Sequence, residues 1–127
     1  MKKEEIVLSP LGHTWFIDID GTIVKHNGYL TDGHDTLLPG VKDFFSSIPA
    51  GDKIILASSR KIEYREKTLA FLKENGIRFD DVLFDLPYGE RIEINDSKAS
   101  GLVTSLALSP KRDEGLKDFS IQIDLNK

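Results

Sequence analysis

Apolar runs that stop abruptly at polar clusters, with helix-patterned segments between them, limit this chain more than any other feature. Thr14-Trp15-Phe16-Ile17-Asp18-Ile19-Asp20 is dense in aromatic and β-branched residues and halts at Gly21, as a buried strand does. Lys53-Ile54-Ile55-Leu56-Ala57 is a second such strand, followed by Ser58-Ser59-Arg60. Val82-Leu83-Phe84 and Arg91-Ile92-Glu93-Ile94 are two shorter candidates, the latter ending at Asn95-Asp96. Between them, residues 41–48 carry apolar side chains at i, i+3, i+4 and i+7, the spacing of a helix face. Residues 62–75 place Leu69, Phe71 and Leu72 on a 3.6-residue pattern closed by Asn75-Gly76, a C-terminal cap. Strands and helices alternating over such short connections predict an α/β fold: a Rossmann-like three-layer α/β/α domain around a central parallel sheet. Ligands of such sheets bind beyond the strands' carboxyl ends. Residues 102–108 read as a helix or a last strand, and residues 119–123 alternate as an edge strand would.

A chain of 127 residues suits one domain, residues 1–127, because two separate cores would each be near the lower limit of self-sufficiency. Its 39% hydrophobic and 30% charged residues are those of a globular protein. Apolar runs such as residues 54–57 fall far short of the roughly 20 residues of a membrane span. The Lys-Glu-rich start lacks the apolar core of a signal peptide, so the expectation is a cytoplasmic protein without a membrane partner. Having no cysteine, the chain has no disulfide, thiolate metal site or cysteine nucleophile. A net charge of −4 without a basic run makes nucleic acid a poor partner and a small anionic molecule a better one. Such a substrate needs local positive charge or a metal ion.

Residues 21–40 hold Asn27-Gly28, Asp32-Gly33 and Pro39-Gly40, a density of turn signals that predicts a flap with at most a short hairpin. At the strand end beside it, Asp18 and Asp20 are two residues apart and address one substrate from one edge. Paired carboxylates can divide the labour of nucleophile and general acid/base. A phosphate dianion repels a carboxylate, so a bridging cation is required, and oxygen-only ligands favour magnesium. Asp96 is the natural additional ligand. Ser58 and a basic residue are suited to the equatorial phosphate oxygens. Ser58 and Ser59 equally suit the cap of the following helix, and Asp96 the cap of a last one. Arg60 reads as a surface ion-pair partner or a contact to the remote part of the substrate. His13, His26 and His34 are too scattered for a metal triad.

Asp18-Ile19-Asp20-Gly21-Thr22, Ser58 after one apolar strand and Asn95-Asp96-Ser97 after another resemble the haloacid dehalogenase superfamily over residues 14–108. The resemblance implies a Rossmann-like domain, aspartyl-phosphate chemistry, Asp18 and Asp20 as catalytic residues, and Thr22, Ser58, Ser59 and Arg60 around the phosphate. It implies Mg2+ on the Asp18 side chain, the Asp20 backbone carbonyl and Asp96. An acidic residue at position 20 resembles phosphatase members, and the Lys-x-Ser-Gly and Arg-Asp-Glu-Gly stretches are similar to those of sugar or surface-polysaccharide pathway phosphatases. The lysine that the family carries ahead of its last acidic motif has no counterpart, Leu86 standing there. Lys98 or Arg91 would supply its charge, with Lys98 preferred. The gaps between motifs leave no room for a cap domain, so a large substrate or a neighbouring subunit of a homo-oligomer would cover the site. Besides a phosphate-monoester hydrolase, the sequence admits a phosphotransferase, a nucleic-acid-end phosphatase and a non-catalytic binding domain.

Overall fold

The computed structural model describes residues 3–127. It is an α/β structure with every strand pairing parallel, in two sheets. Strand β1 (Glu4–Leu8) lies beside β5 (Phe119–Ile123), Glu4 opposite Phe119 and Leu8 opposite Ile123. The other sheet is ordered β2 (Thr14–Asp18), β3 (Lys53–Ala57) and β4 (Asp81–Leu83). Helices α1 (Gly28–Thr31), α2 (Val41–Ser47) and α3 (Arg65–Glu74) lie between strands, α3 entered through a 3-10 turn at Ile62–Tyr64. No helix among the described residues is long and apolar enough to cross a membrane.

One apolar cluster joins these parts. Ile17, Ile54 and Leu56 of the three-stranded sheet pack with Val41, Phe44 and Phe45 of α2 and Leu72 of α3, and the cluster reaches Ile6 and Leu116. Trp15 sets its ring edge-on to Phe44 at 5.8 Å. The register puts Asp18 opposite Ala57, and Ala57 opposite Leu83. Backbone bonds continue just past the strands, Ile19 N–H to Ala57 O at 3.1 Å and Ser58 N–H to Leu83 O at 2.9 Å. The three carboxyl ends are therefore level, which brings residues 18–20, 58–60 and 84–86 to one edge.

Residues 21–38 fold back as a small hairpin: Lys25 N–H donates to Thr36 O, Leu38 N–H donates to Ile23 O, and α1 lies within it. Asn27 takes a positive φ of 56° ahead of α1, as the Asn27-Gly28 pair foretold. The flap expected over residues 21–40 is thus present and well bonded.

The structure departs from the expected sheet in three places. Residues 91–94 are not a strand and residues 102–108 are neither helix nor strand; the whole of 84–118 is irregular. Alternation of Ile92 and Ile94 suits a strand only where a partner edge supplies ladder bonds, and Arg91 is instead drawn to Asp18. A seven-residue segment holding Val103, Thr104 and Ser105 is too short to nucleate a helix without packing. Second, Phe16 is 58% exposed and Leu83 43%, so the sheet is not covered on both faces. Third, β1 is an additional strand at the charged start of the chain, and residues 119–123 pair with it as an edge strand.

Candidate active site

The first carboxylate pair sits where β2 ends, and Gly21, at φ 84°, turns the chain sharply away. Thr22 Oγ1 donates to Asp18 Oδ2 at 3.1 Å, and Arg91 Nη1 donates to Asp18 Oδ1 at 2.7 Å. The Asp18 side chain is 35% exposed. It therefore faces solvent with one cation and one hydroxyl already beside it, as a group meant to meet a ligand would.

Asp20 lies in a different environment. Ser58 Oγ donates to Asp20 Oδ2 at 3.2 Å, and Arg60 Nε donates to both Asp20 oxygens at 3.1 and 3.2 Å. Arg60 Nη2 reaches Asp20 Oδ1 at 2.9 Å and Asp35 Oδ1 at 2.6 Å. Nη1 reaches Asp35 Oδ2 and Thr68 Oγ1, each at 3.0 Å. These contacts engage every N–H of the guanidinium fork. Arg60 is 3% exposed, so it is an internal tie between the motif loop, the flap and α3, rather than a surface ion-pair or substrate contact. Burial works to lower its pKa, but the hydrogen bonds from Asp35 and Asp20 outweigh it and push the pKa up, so Arg60 is always charged.

Tyr29 covers this tie, its ring 3.9 Å from the Arg60 guanidinium carbon and edge-on to Tyr64 at 4.9 Å. Burial, followed by the nearby Asp20 charge, pushes the Tyr29 phenol up, so it stays protonated and can donate. Neither Asp35 nor Tyr29 carries a motif. Their role comes from the flap folding over Arg60, and the only hint in sequence is an acidic residue amid the turn signals of residues 21–40.

The remaining candidates spread out. Ser58 Oγ also accepts from Arg60 N–H at 3.0 Å, and Ser59 Oγ donates to Pro87 O at 3.3 Å. Neither serine caps the following helix, whose N-cap is Lys61. After β4 the chain wraps this loop, with Asp85 N–H donating to Arg60 O and Leu86 N–H to Ser58 O. Asp96 is exposed on the irregular stretch and caps no helix; its backbone carbonyl accepts from Thr104 Oγ1. Lys98 is exposed there too, whereas Arg91 is the basic residue in contact with Asp18. Among the described residues no three His, Asp or Glu side chains converge as a metal cluster. His13 is structural, bonding Asp52 Oδ2 at 2.8 Å and Ser9 O at 2.9 Å.

A cleft of about 250 Å³ opens beside these groups, lined by Asp18, Asp20, Gly21, Thr22, Pro110 and Arg112. Residues 110–117 offered no chemistry in sequence, yet they form one wall. Asp113 N–H donates to Gly21 O at 2.9 Å, and Asp113 Oδ1 accepts from His26 N–H at 2.7 Å. The only sequence signal was the Arg-Asp-Glu-Gly stretch itself.

No protein-family model and no curated protein matches this chain. Among solved structures, it is similar to a chain of the Pnkp1/Rnl/Hen1 complex, with 30% identity and a TM-score of 0.51. The match covers 66% of this chain and 31% of that one, so this chain spans about a third of its neighbour's length. The likeness extends to sequence as well as to the path of the backbone.

Proposed function

We propose that this chain is a phosphatase of the haloacid dehalogenase type, hydrolysing a small phosphate monoester such as a sugar phosphate. The observation that carries this reading is Asp18: a solvent-facing carboxylate at a parallel strand's carboxyl end, bordering a polar cleft, with Arg91 and Thr22 on its oxygens. Asp18 attacks phosphorus, the bond to the ester oxygen breaks, and the leaving oxygen takes a proton from Asp20. Water, losing a proton to Asp20, then cleaves the aspartyl-phosphate, releasing inorganic phosphate and restoring Asp18. Arg60 and Ser58 hold Asp20 in one orientation, and its two oxygens retain lone pairs for that proton.

Magnesium belongs to this reading. The Asp18 carboxylate and the Asp20 backbone carbonyl would hold it, with Asp96 as the further ligand that the resemblance supplies. The donors fit: hard oxygen atoms, few in number, beside a cleft that admits phosphate and water, as protein Mg2+ sites are usually made. When bound, the ion offsets the repulsion between carboxylate and phosphate. The test is phosphate release from sugar phosphates, nucleotides, a 3'-phosphorylated oligonucleotide and an aryl phosphate, with magnesium and with chelator. Asp18→Asn is expected to lower release by at least about 10³-fold, and chelator to remove it. Release that survives the substitution rejects Asp18 as nucleophile.

A second reading, a non-catalytic domain that binds a phosphorylated ligand, is favoured by the absence, among the described residues, of a converging acidic triad. It predicts phosphate binding with no turnover of any ester in the panel.

A further inference from the structure

The wall of the cleft formed by residues 110–112 takes no part in the chemistry above, although it brings a cation to the cleft. Arg91 is paired with Asp18 and Arg60 is engaged inside the protein, while Arg112 forms no ion pair among the described residues. Arg112 lines the same cleft as Asp18, Asp20 and Thr22, and its Cγ lies 3.1 Å from where a side chain at Gly21 would begin. The backbone that carries it is held firmly. Asp113 is bonded to Gly21 on one side, and Leu116 N–H donates to Pro39 O at 3.0 Å on the other. Gly115, at φ 74°, packs so closely on the Pro39 carbonyl that no Cβ would fit. An unpaired guanidinium on a fixed frame, facing two carboxylates across a polar cleft, has the chemistry of a phosphate fork.

We propose that Arg112 binds the phosphate group of the substrate, its two terminal N–H groups taking non-bridging oxygens while Asp18 faces phosphorus. This rests on the phosphatase reading and adds to it a residue that lies outside every motif. Arg112 and Arg91 together provide the positive charge that Leu86 withholds.

The experiment pairs two readouts on wild type, Arg112→Ala, Arg112→Lys and a neighbouring control, Lys111→Ala. One is calorimetric binding of inorganic phosphate; the other is KM and kcat on the best ester of the panel. Arg112→Ala is expected to weaken phosphate binding and raise KM by about 10- to 100-fold, with a smaller change in kcat. Arg112→Lys recovers part of the loss, and Lys111→Ala matches wild type. Phosphate binding and KM within twofold of wild type in Arg112→Ala overturn the proposal while leaving Asp18 chemistry standing. If wild type hydrolyses no ester, the catalytic reading falls and calorimetry alone decides: loss of binding in Arg112→Ala upholds the anion site, and unchanged or absent binding rejects it.

Discussion

The carboxyl edge of β2 and β3 and the irregular stretch after β4 each bring an arginine to a motif aspartate, by opposite means. Arg60 reaches Asp20 from a loop pinned by strand register, is buried, and has its whole guanidinium engaged. Arg91 reaches Asp18 from a stretch without secondary structure through one bond, with both side chains more than a third open to water. Around Arg91 the chain leaves Tyr88, Ile92 and Ile94 more than four-fifths exposed. The difference teaches that one half of the site is part of the folded core, while the other is attached to it only by polar contacts. Substitutions in the first should therefore register as lost stability, and in the second as altered function.

The largest effect is expected at Arg60. Arg60→Ala leaves Asp20 and Asp35 without their counter-charge and should cost about 3–5 kcal/mol in urea unfolding, as breaking a buried pair does. A cost below about 1 kcal/mol, the range of exposed pairs, would erase the contrast between the two halves. A smaller loss is expected at the opposite end of β3, where Asp52 accepts from the His13 backbone, the His13 ring and the Trp15 indole. Asp52→Ala should cost about 2–3 kcal/mol, because it removes a buried acceptor from three donors. Burial raises the Asp52 pKa, but the Trp15 and His13 hydrogen bonds outweigh it and hold the carboxyl below its usual range. A depressed folded-state pKa gives stability that is complete above the unfolded value, about 3.9, and is lost as pH falls through the folded one. The cost of Asp52→Ala should therefore shrink below about pH 4, and a constant cost down to pH 2 would contradict this linkage. The smallest change in stability is expected at Arg91. Arg91→Ala should alter it by less than about 0.5 kcal/mol yet lower kcat/KM about tenfold, sharpening the comparison by separating function from folding.

The strand-borne half was readable in the sequence because its signals are local. A dense β-branched run such as residues 14–19 has little alternative to a strand, and Asp18-x-Asp20-Gly21 marks its own end. Arg60 was misread as an external group because its partners, Asp20 and Asp35, are 40 and 25 positions away, and only folding brings them together. β1 escaped because Glu4 and Glu5 mask the apolar Ile6-Val7-Leu8, and its pairing partner lies more than a hundred residues on. Arg112 escaped for the same reason: its meaning depends on Asp113 meeting Gly21. In residues 84–118 the error ran the other way, since alternation suggested order that no neighbouring edge supports.

The parallel pairing of β1 with β5 has a consequence for how the molecule comes into being. Strand β2, with its aspartates, leaves the ribosome early, but the wall of the cleft at residues 110–116 is secured next to a seam that needs residues 119–123. Contacts this distant along the chain form late and slowly. Synthesis thus produces the nucleophile first and its pocket last, and a nascent chain shows no finished site until nearly everything described here has emerged.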